Sequence, residues 1–523
     1  MPLEIELKLR LSPEDASRLR HDPLLASLTV SRPVTRKLLT AYYDTPDLYL
    51  QKHQMALRLR HIGKKWIQSI KGGGDAAALG LHQRHEWESM VPTGQPDFSQ
   101  ITDPSLIRLF EGAESHGQLH VLFTTDFKRS KRMLRLVDGS EIEFSLDQGI
   151  IRTAADSTRE ICEIELELKS GNAQTLYQFA LDILPAIPFR LENTSKAERG
   201  YRLAVDSKLT PVKAVPVRLK PEMNLSEAFK AITWNCLDHL QGNEAGMLQS
   251  EDPEYLHQMR VALRRVRTAR RVFARAFDAT VFASATPDLK WLARSLGAAR
   301  DWDVFMSETL SEVRDYFYEH GGISALREDC EQMRRNYGEV AREAVGSTRH
   351  TETMLRLGSG LYAETWLPAL DPQQSESRKA RLEWSVKEFA DNALSHGHKK
   401  LKKYYKKADG QDTEEVHALR IAVKEQRYTA EFFSDLYRRK KVKRYIKSLA
   451  ALQETLGAMI DTAVIERLLN EAGMMKDKGG KGGEGGECEA KGIVLGWIAQ
   501  RGLTKRSELD EVWRDFEKNE VVW

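Results

Sequence analysis

Leu3-Glu4-Ile5-Glu6-Leu7-Lys8-Leu9 alternates charge and hydrocarbon at every position, so an extended chain carries Glu4, Glu6 and Lys8 on one face and four apolar side chains on the other. One such strand is compatible with any half-buried sheet. The pattern recurs, however, in Leu57-Arg58-Leu59-Arg60, Arg84-His85-Glu86-Trp87-Glu88, Glu141 through Asp147 and Glu163 through Leu168. A sheet facing bulk water mixes Thr, Ser, Gln and Lys, whereas acids, arginines and lysines dominate these polar faces. The alternation therefore predicts a closed antiparallel barrel with a charged lumen, its apolar outer face covered by helices or by another domain.

Such a lumen suits one kind of chemistry. Carboxylates hold Mg²⁺ or Mn²⁺ through hard oxygen ligands, while arginine and lysine neutralise an elongated phosphate chain. Phosphoryl transfer depends mainly on positioning and on stabilising charge spread over phosphoryl oxygens, so no covalent nucleophile is required.

The Glu4-x-Glu6-x-Lys8 opening is followed in order by Tyr42-Tyr43-Asp44-Thr45-Pro46, Ala56 to Arg60, Ser69-Ile70-Lys71-Gly72, Arg84-x-Glu86-x-Glu88, Thr125 to Arg129, Leu146-Asp147-Gln148-Gly149, Glu163 to Glu167 and Ser195 to Tyr201. Together these blocks resemble the CYTH domain of the triphosphate tunnel metalloenzyme superfamily. The resemblance implies an eight-stranded antiparallel tunnel that binds a triphosphate end-on. It implies metal ligation by Glu4 and Glu6 from one wall, and by Asp147 with two of Glu163, Glu165 and Glu167 from the other. Lys8, Arg58, Arg60, Lys71, Arg84, Arg129 and Lys196 would grip phosphate, and the catalytic set would be Glu4, Glu6, Lys8, Glu86 and Glu88. Glu86 and Glu88 have three open roles: a second metal site, orientation of the attacking water, or pairing with arginines across the lumen. Within the family the blocks most resemble bacterial inorganic triphosphatases. Thiamine triphosphatase or class IV adenylate cyclase activity, or passive polyphosphate binding, are the alternatives.

After Glu222 the hydrophobic period changes from two to that of a helix. Residues 207–222 carry Pro211, Pro216 and Pro221 and read as a linker between a tunnel domain at 1–206 and a helical domain at 223–523. The whole is expected to be an α+β multidomain chain ending in tandem helical bundles, with repeats at about 223–372 and 373–523. His257, Arg260, Arg264, Arg267 and Arg271 fall on one helical stripe, opposite Met259, Ala262, Val266 and Phe273. His417, Arg420, Lys424, Arg427 and Glu431 repeat the same offsets, and Leu296-Gly297 and Asp301 are echoed by Leu456-Gly457 and Asp461. This is an internal duplication. Like charges at helical neighbours are mutually destabilising and call for an anion. The basic runs from Lys399 to Lys407 and from Arg438 to Lys447 add to the demand.

These repeated motifs resemble the CHAD domain, a helical domain associated with polyphosphate, which implies inorganic polyphosphate binding by both stripes. Glu431 departs from that pattern and implies a weaker second site. The two histidines are equally open to a structural role between helices, and their cationic surroundings disfavour metal ligation.

The net charge of +3 is small beside 79 basic and 76 acidic residues, so polyanion affinity must come from local clustering. Four scattered cysteines without a CxxC pair disfavour a zinc site or a disulfide framework and suit a reducing cytosol, with association to polyphosphate granules as a further expectation. No apolar run suits a membrane span, and the charged first strand leaves no room for a secretion signal. The tyrosines among the basic runs form no stacking motif, which disfavours nucleic acid. The run 479–486 of glycines with Lys481 and Glu484 reads as a flexible loop without phosphate-loop context. Oligomeric state is not legible.

Overall fold

The computed structural model describes residues 3–63, 65–73, 79–99, 101–277, 283–364, 384–408, 413–474, 484–519, 521 and 523. They form two compact units, Met1–Thr210 with Gly346–Ala363, and Pro211–Val345 with Glu364–Trp523.

In the first unit β1 (Leu3–Arg10) leads into α1 (Pro13–Leu19), capped by Ser12, and α2 (Pro23–Leu28), capped by Asp22. Then come β2 (Val34–Asp44), α3 (Tyr49–Lys52), β3 (Met55–Ile62), β4 (Lys65–Gly72), β5 (Leu81–Val91), α4 (Pro104–Ser115), β6 (His120–Arg135), β7 (Glu141–Thr153), β8 (Thr158–Ser170), α5 (Gln174–Ile183), β9 (Arg190–Leu191) and α6 (Lys196–Ala204). Every strand pairing is antiparallel. The order is β5-β4-β3-β2-β6-β7-β8-β1, and β1 pairs back onto β5, closing an eight-stranded barrel as expected. The short β9 takes over along β1 where β5 leaves it, at Leu9 and Arg10.

The apolar outer face is covered as the alternation requires. Leu50, Leu106, Phe110 and Ala113 of α3 and α4 pack with Leu57, Leu59 and Ile70 of β3 and β4. Leu176, Phe179 and Ile183 of α5 are buried, and α5 packs on β1 and β8. The interior is treated differently. Phe123, on the same face of β6 as the lumen residues Phe127 and Arg129, packs with Tyr42 and with Tyr201 of α6. A Cβ on Gly200 would sit 2.1 Å from the Phe123 ring, so only glycine lets α6 come this close. The helix fills one end of the barrel, and polar groups become more exposed towards Arg36 and Lys131 at the other.

One helix of the first unit comes from far along the chain. Residues 346–363 fall within the segment expected to form the first helical repeat, yet α13 (Thr348–Tyr362) packs against α5. Gly358 lies against the Tyr177 ring, Tyr177 stacks on Tyr362 at 5.8 Å, and Gln83 Nε2 on β5 donates to the Tyr362 hydroxyl at 3.0 Å. The physical reason is that α5 has two apolar sides, one for the barrel and one that must be covered. A chain ended at residue 206 bares Tyr177, which is otherwise fully buried. Its barrel is expected to lose about 2 kcal/mol or more in urea unfolding relative to the full chain, with part of the loss restored by a peptide spanning 346–363. Equal midpoints would refute the covering role.

The second unit contains α7 (Leu225–Gln241), α8 (Glu244–Gln249), α9 (Pro253–Phe273), α10 (Thr286–Val304), α11 (Leu310–Tyr316), α12 (Gly321–Gly346), α14 (Val386–Tyr405), α15 (Thr413–Phe432), α16 (Arg439–Met474) and α17 (Glu484–Glu517). Asn224 with Glu227 and Ser385 with Glu388 form capping boxes at α7 and α14. The proline-rich stretch is irregular, and beyond Pro211 it is held to this unit: Asn243 exchanges hydrogen bonds with the Val212 backbone at 2.9 Å in both directions.

The bundles are not two separate copies. One core joins α10, α11 and α12 with the C-terminal half of α16 and the N-terminal half of α17. The other joins α14 and α15 with the remaining halves of the same two helices. At 36 and 34 residues, α16 and α17 each serve both cores. The expected boundary at 372/373 lies outside the described residues. So does 479–483 of the predicted glycine-rich loop, whereas Glu484 to Gly486 begin α17. No helix among the described residues is long and apolar enough to cross a membrane, and all four cysteines are free thiols.

Candidate functional site

Because strand register sets which side chains meet, the barrel's closure brings distant residues into pairs. Lys8 stands opposite Glu165 and Glu6 opposite Glu167 across β1–β8. Glu4 faces Arg84 across β1–β5, Lys71 faces Glu86 across β4–β5, and Asp147 lies between Arg129 and Glu163 on its two neighbours. The inward side chains surround a cavity of about 590 Å³. Glu4, Glu6, Lys8, Arg58, Arg60, Lys71, Arg84, Glu86, Glu88, Arg129, Glu165, Glu167 and Lys196 all line it. Asp147 and Glu163 are recessed behind this lining and have no exposed surface.

The lumen is a network of ion pairs. Lys71 Nζ lies 2.6 Å from Glu4 and 3.0 Å from Glu86, and Arg58 reaches Glu86 at 2.8 Å. Lys8 Nζ lies 2.8 Å from Glu6 and 2.5 Å from Glu165. Arg129 grips Asp147 through Nε at 2.7 Å and Nη2 at 2.6 Å, and also pairs with Glu165. Glu163 pairs with Lys196 and Arg199. Burial alone would raise the Glu163 carboxyl, but Lys196 and Arg199 more than reverse it and hold it at about 2. Burial is likewise outweighed at Glu86, which Arg58 and Lys71 hold at about 2. At Glu4 burial prevails with help from Glu6 and Glu86, and its carboxyl is raised despite Lys71.

Both depressed carboxyls bind protons less readily folded than unfolded. Their stabilisation is complete above their ordinary 4.5 and is lost as pH falls towards about 2. The urea midpoint of the metal-free barrel is expected to drop steeply between pH 4.5 and 2. A flat midpoint across that window would contradict the pairing.

Arg60 stands out by contrast. Among the described residues it has no carboxylate at ion-pair distance, only Thr40 Oγ1 at 3.3 Å. Burial and the neighbouring Arg58 and Arg129 press its guanidinium down to about 10. Of the three arginines that converge here only Arg60 lacks a carboxylate, and a cation left uncompensated in a cavity is the signature of a place for an anion.

Sequence reading passed over Arg199, Arg36, Lys131 and Glu143. Arg199 follows Lys196 by three residues on α6 and pairs with Glu163, while Arg36, Lys131 and Glu143 line the cavity. The signal was present: Lys131 and Glu143 continue the alternation set by Arg129 and Asp147, and helical spacing put Arg199 beside Lys196.

The second unit bears the stripes. Met259, Ala262, Val266 and Phe273 of α9 are buried, as are Leu419, Ala422, Gln426 and Phe433, while the stripe residues are half-buried or exposed. Their members do different work. Arg260 Nη1 donates to the backbone oxygens of Leu296, at 3.1 Å, and Gly297. A Cβ on Gly297 would lie 3.3 Å from Arg260, and one on Gly457 would lie 3.4 Å from Arg420. The duplicated Leu-Gly pairs thus mark where the first arginine of each stripe packs on the facing helix. Arg264 and Arg267 have no carboxylate partner among the described residues, and Arg267 is lowered by burial and by Arg271, Arg270 and Arg264. Arg271 pairs with Glu425 at 3.2 Å, and Arg427 with Glu431 at 3.3 Å. His257 is half-buried and lowered by burial and the adjacent Arg300, whereas His417 is exposed. Lys424 completes the second stripe, and the Asp461 side chain lies outside the described residues.

Residues 2–201 match the CYTH domain family and residues 231–470 match the CHAD domain family. An inorganic triphosphatase of Haemophilus influenzae is 35% identical over 212 residues, which is 40% of this chain and 56% of that relative, so the match spans little more than half the relative's length. The crystal structure of the CHAD domain from the plant Ricinus communis is 32% identical, with a TM-score of 0.51, covering 60% of this chain and 99% of that one. With a closed barrel whose lumen carries both charges and a duplicated helical unit bearing cationic stripes, the chain belongs to the CYTH and CHAD families, one domain following the other.

Proposed function

We propose that the barrel hydrolyses inorganic triphosphate to diphosphate and phosphate with the help of Mg²⁺ or Mn²⁺, and that the helical unit binds inorganic polyphosphate. The observation that carries the first reading is Arg60, half-buried with no carboxylate at ion-pair distance among the described residues, beside Arg58 and Arg129 in a cavity whose other wall is carboxylate. A protein that only gripped phosphate would have no use for that wall. The name of the Haemophilus relative supports the same substrate.

The donor set fits a divalent ion, since only carboxylate oxygens are offered and those of Asp147, Glu163 and Glu165 come within 4.8 Å of one another. Glu4, Glu6, Asp147, Glu163, Glu165 and Glu167 would hold it. When bound it supplies charge for phosphate oxygens and lowers the pKa of a water. Arg58, Arg60, Arg129, Lys8, Lys71, Arg84 and Lys196 hold the triphosphate and take up charge as water attacks the terminal phosphorus and the anhydride bond breaks. Of the two β5 acids, Glu86 is committed to Arg58 and Lys71. Glu88 is exposed and, among the described residues, accepts only from Ser69 at 2.8 Å. Its exposure and single partner support Glu88, rather than Glu86, as the carboxylate that orients and deprotonates water.

Phosphate release from triphosphate, ATP, thiamine triphosphate and long polyphosphate, each with Mg²⁺ and Mn²⁺, tests this reading. Triphosphate should be turned over fastest, and no release with either metal would overturn it. For the helical unit, Arg264→Ala is expected to weaken polyphosphate binding and reduce the slope of log affinity against log salt by about one. Arg260→Ala should mainly lower stability. An unchanged slope in Arg264→Ala would remove that arginine from the binding surface.

A further inference from the structure

Lys196 sits where a metal ion would be expected. Its Nζ lies 2.7 Å from Asp147 Oδ2 and 2.9 Å from Glu165 Oε1, and it pairs with Glu163 as well, so one ammonium touches all three members of the buried acidic triad. Lys8 and Arg129 reach the same Glu165, and Arg199 the same Glu163. With Glu6 on Lys8 and Glu192 on Arg199, five carboxylates face these four cations. A divalent ion held by oxygens of all three triad carboxylates would fall within contact distance of the Lys196 ammonium, which already bridges them, so the two cations cannot share the site. One cation has to leave first.

Lys196 is the one placed to do so. It opens α6, its neighbours Ser195 and Ala197 line the cavity, and its own side chain reaches that lining. Arg199 is held on the far side by Glu163 and Glu192, away from the lumen. A departing ammonium needs a new counter-charge, and phosphate oxygens between Arg60 and Arg129 would provide it.

We propose that Lys196 is a resident counter-ion which trades the Asp147–Glu163–Glu165 triad for phosphate oxygens, so that divalent metal and triphosphate load together and neither loads well alone. This rests on the reading of the lumen as a metal-dependent triphosphate site. By thermodynamic reciprocity each ligand must then raise the affinity of the other by the same factor.

The test uses the full chain, Mn²⁺ followed by electron paramagnetic resonance, and imidotriphosphate, whose bridging nitrogens resist hydrolysis. In the wild type, saturating imidotriphosphate is expected to tighten Mn²⁺ binding about tenfold or more. Direct contact between metal and phosphate would also produce linkage, so Lys196→Gln decides the cause. It should bind Mn²⁺ alone about tenfold more tightly than the wild type and lose most of the linkage, while Lys196→Arg, which keeps the cation, behaves like the wild type. Wild-type Mn²⁺ affinity independent of the analogue overturns the exchange whatever the variants do. So does Mn²⁺ binding in Lys196→Gln that is no tighter than in the wild type. In both cases the metal-dependent reading stands, because metal still binds. No Mn²⁺ binding with or without the analogue overturns both.

Discussion

Glu4→Gln combined with Glu6→Gln is expected to lower kcat for triphosphate by about 10³-fold, with KM unchanged or reduced. The split follows from the pairing. Glu4 holds Lys71 at 2.6 Å and Glu6 holds Lys8 at 2.8 Å, so amides at both positions leave Lys71 with Glu86 alone and Lys8 with Glu165 alone, each with one carboxylate fewer. Those cations then attract phosphate in the ground state at least as strongly as before. What is lost is one carboxylate wall for the divalent ion, and with it stabilisation of charge that develops only during cleavage. Steady-state kinetics at saturating Mn²⁺, with circular dichroism to verify folding, make the measurement. A kcat within about threefold of the wild type would exclude this wall from catalysis.

Glu163→Gln should act mainly on stability, costing about 3–5 kcal/mol and lowering the melting temperature of the barrel transition by on the order of 10 °C. Glu163 has no exposed surface and pairs with both Lys196 and Arg199. Arg199 is 2% exposed, and its other carboxylate, Glu192, is 3.8 Å away, so neutralising Glu163 leaves a buried guanidinium poorly compensated. Removing both charges in Glu163→Gln/Arg199→Met should recover part of the loss, because deleting a whole buried pair costs less than breaking it. Calorimetry of the single and double variants decides the matter. A single variant within about 1 kcal/mol of the wild type would mean that Lys196 and Arg199 find other partners.

The two variants probe opposite ends of one polar gradient. Asp147, Glu163 and Lys196 are buried beside α6, where every charge has partners and the cost of disturbing one is paid in stability. Glu4, Glu88 and Glu167 are more exposed and make fewer pairs, so disturbing one of them costs less stability. The helical unit is divided in the same way: Arg260 and the facing Leu296–Gly297 backbone hold α9 to α10, while Arg264 and Arg267 remain without a carboxylate partner among the described residues. A stripe that looked uniform in sequence is part fastening and part arginine without a carboxylate partner among the described residues.

The legible and the illegible differ by range. Alternation in β1, β3, β5, β7 and β8 identified which side chains point into the lumen, because in an extended chain successive side chains take opposite faces whatever the rest of the protein does. The 160-residue spacing of His257 and His417 exposed the duplication for an equally local reason, since helical periodicity places the same offsets on the same face. Local backbone geometry is written in local sequence.

Three features were decided only by tertiary structure. Lys8 meets Glu165 across 157 positions because β1 closes the barrel against β8 in one register, and no spacing in the sequence specifies that register. α13 joins the barrel unit because α5 needs a cover, although its own periodicity is indistinguishable from that of the helices around it. α16 and α17 cross both helical cores because each carries two separate sets of buried residues, Ile465 to Ala472 and Tyr445 to Leu456 on α16, Ala490 to Ile498 and Leu509 to Phe516 on α17. Pairing, coverage and sharing are all settled by which surfaces must leave water together, and that depends on the whole folded chain.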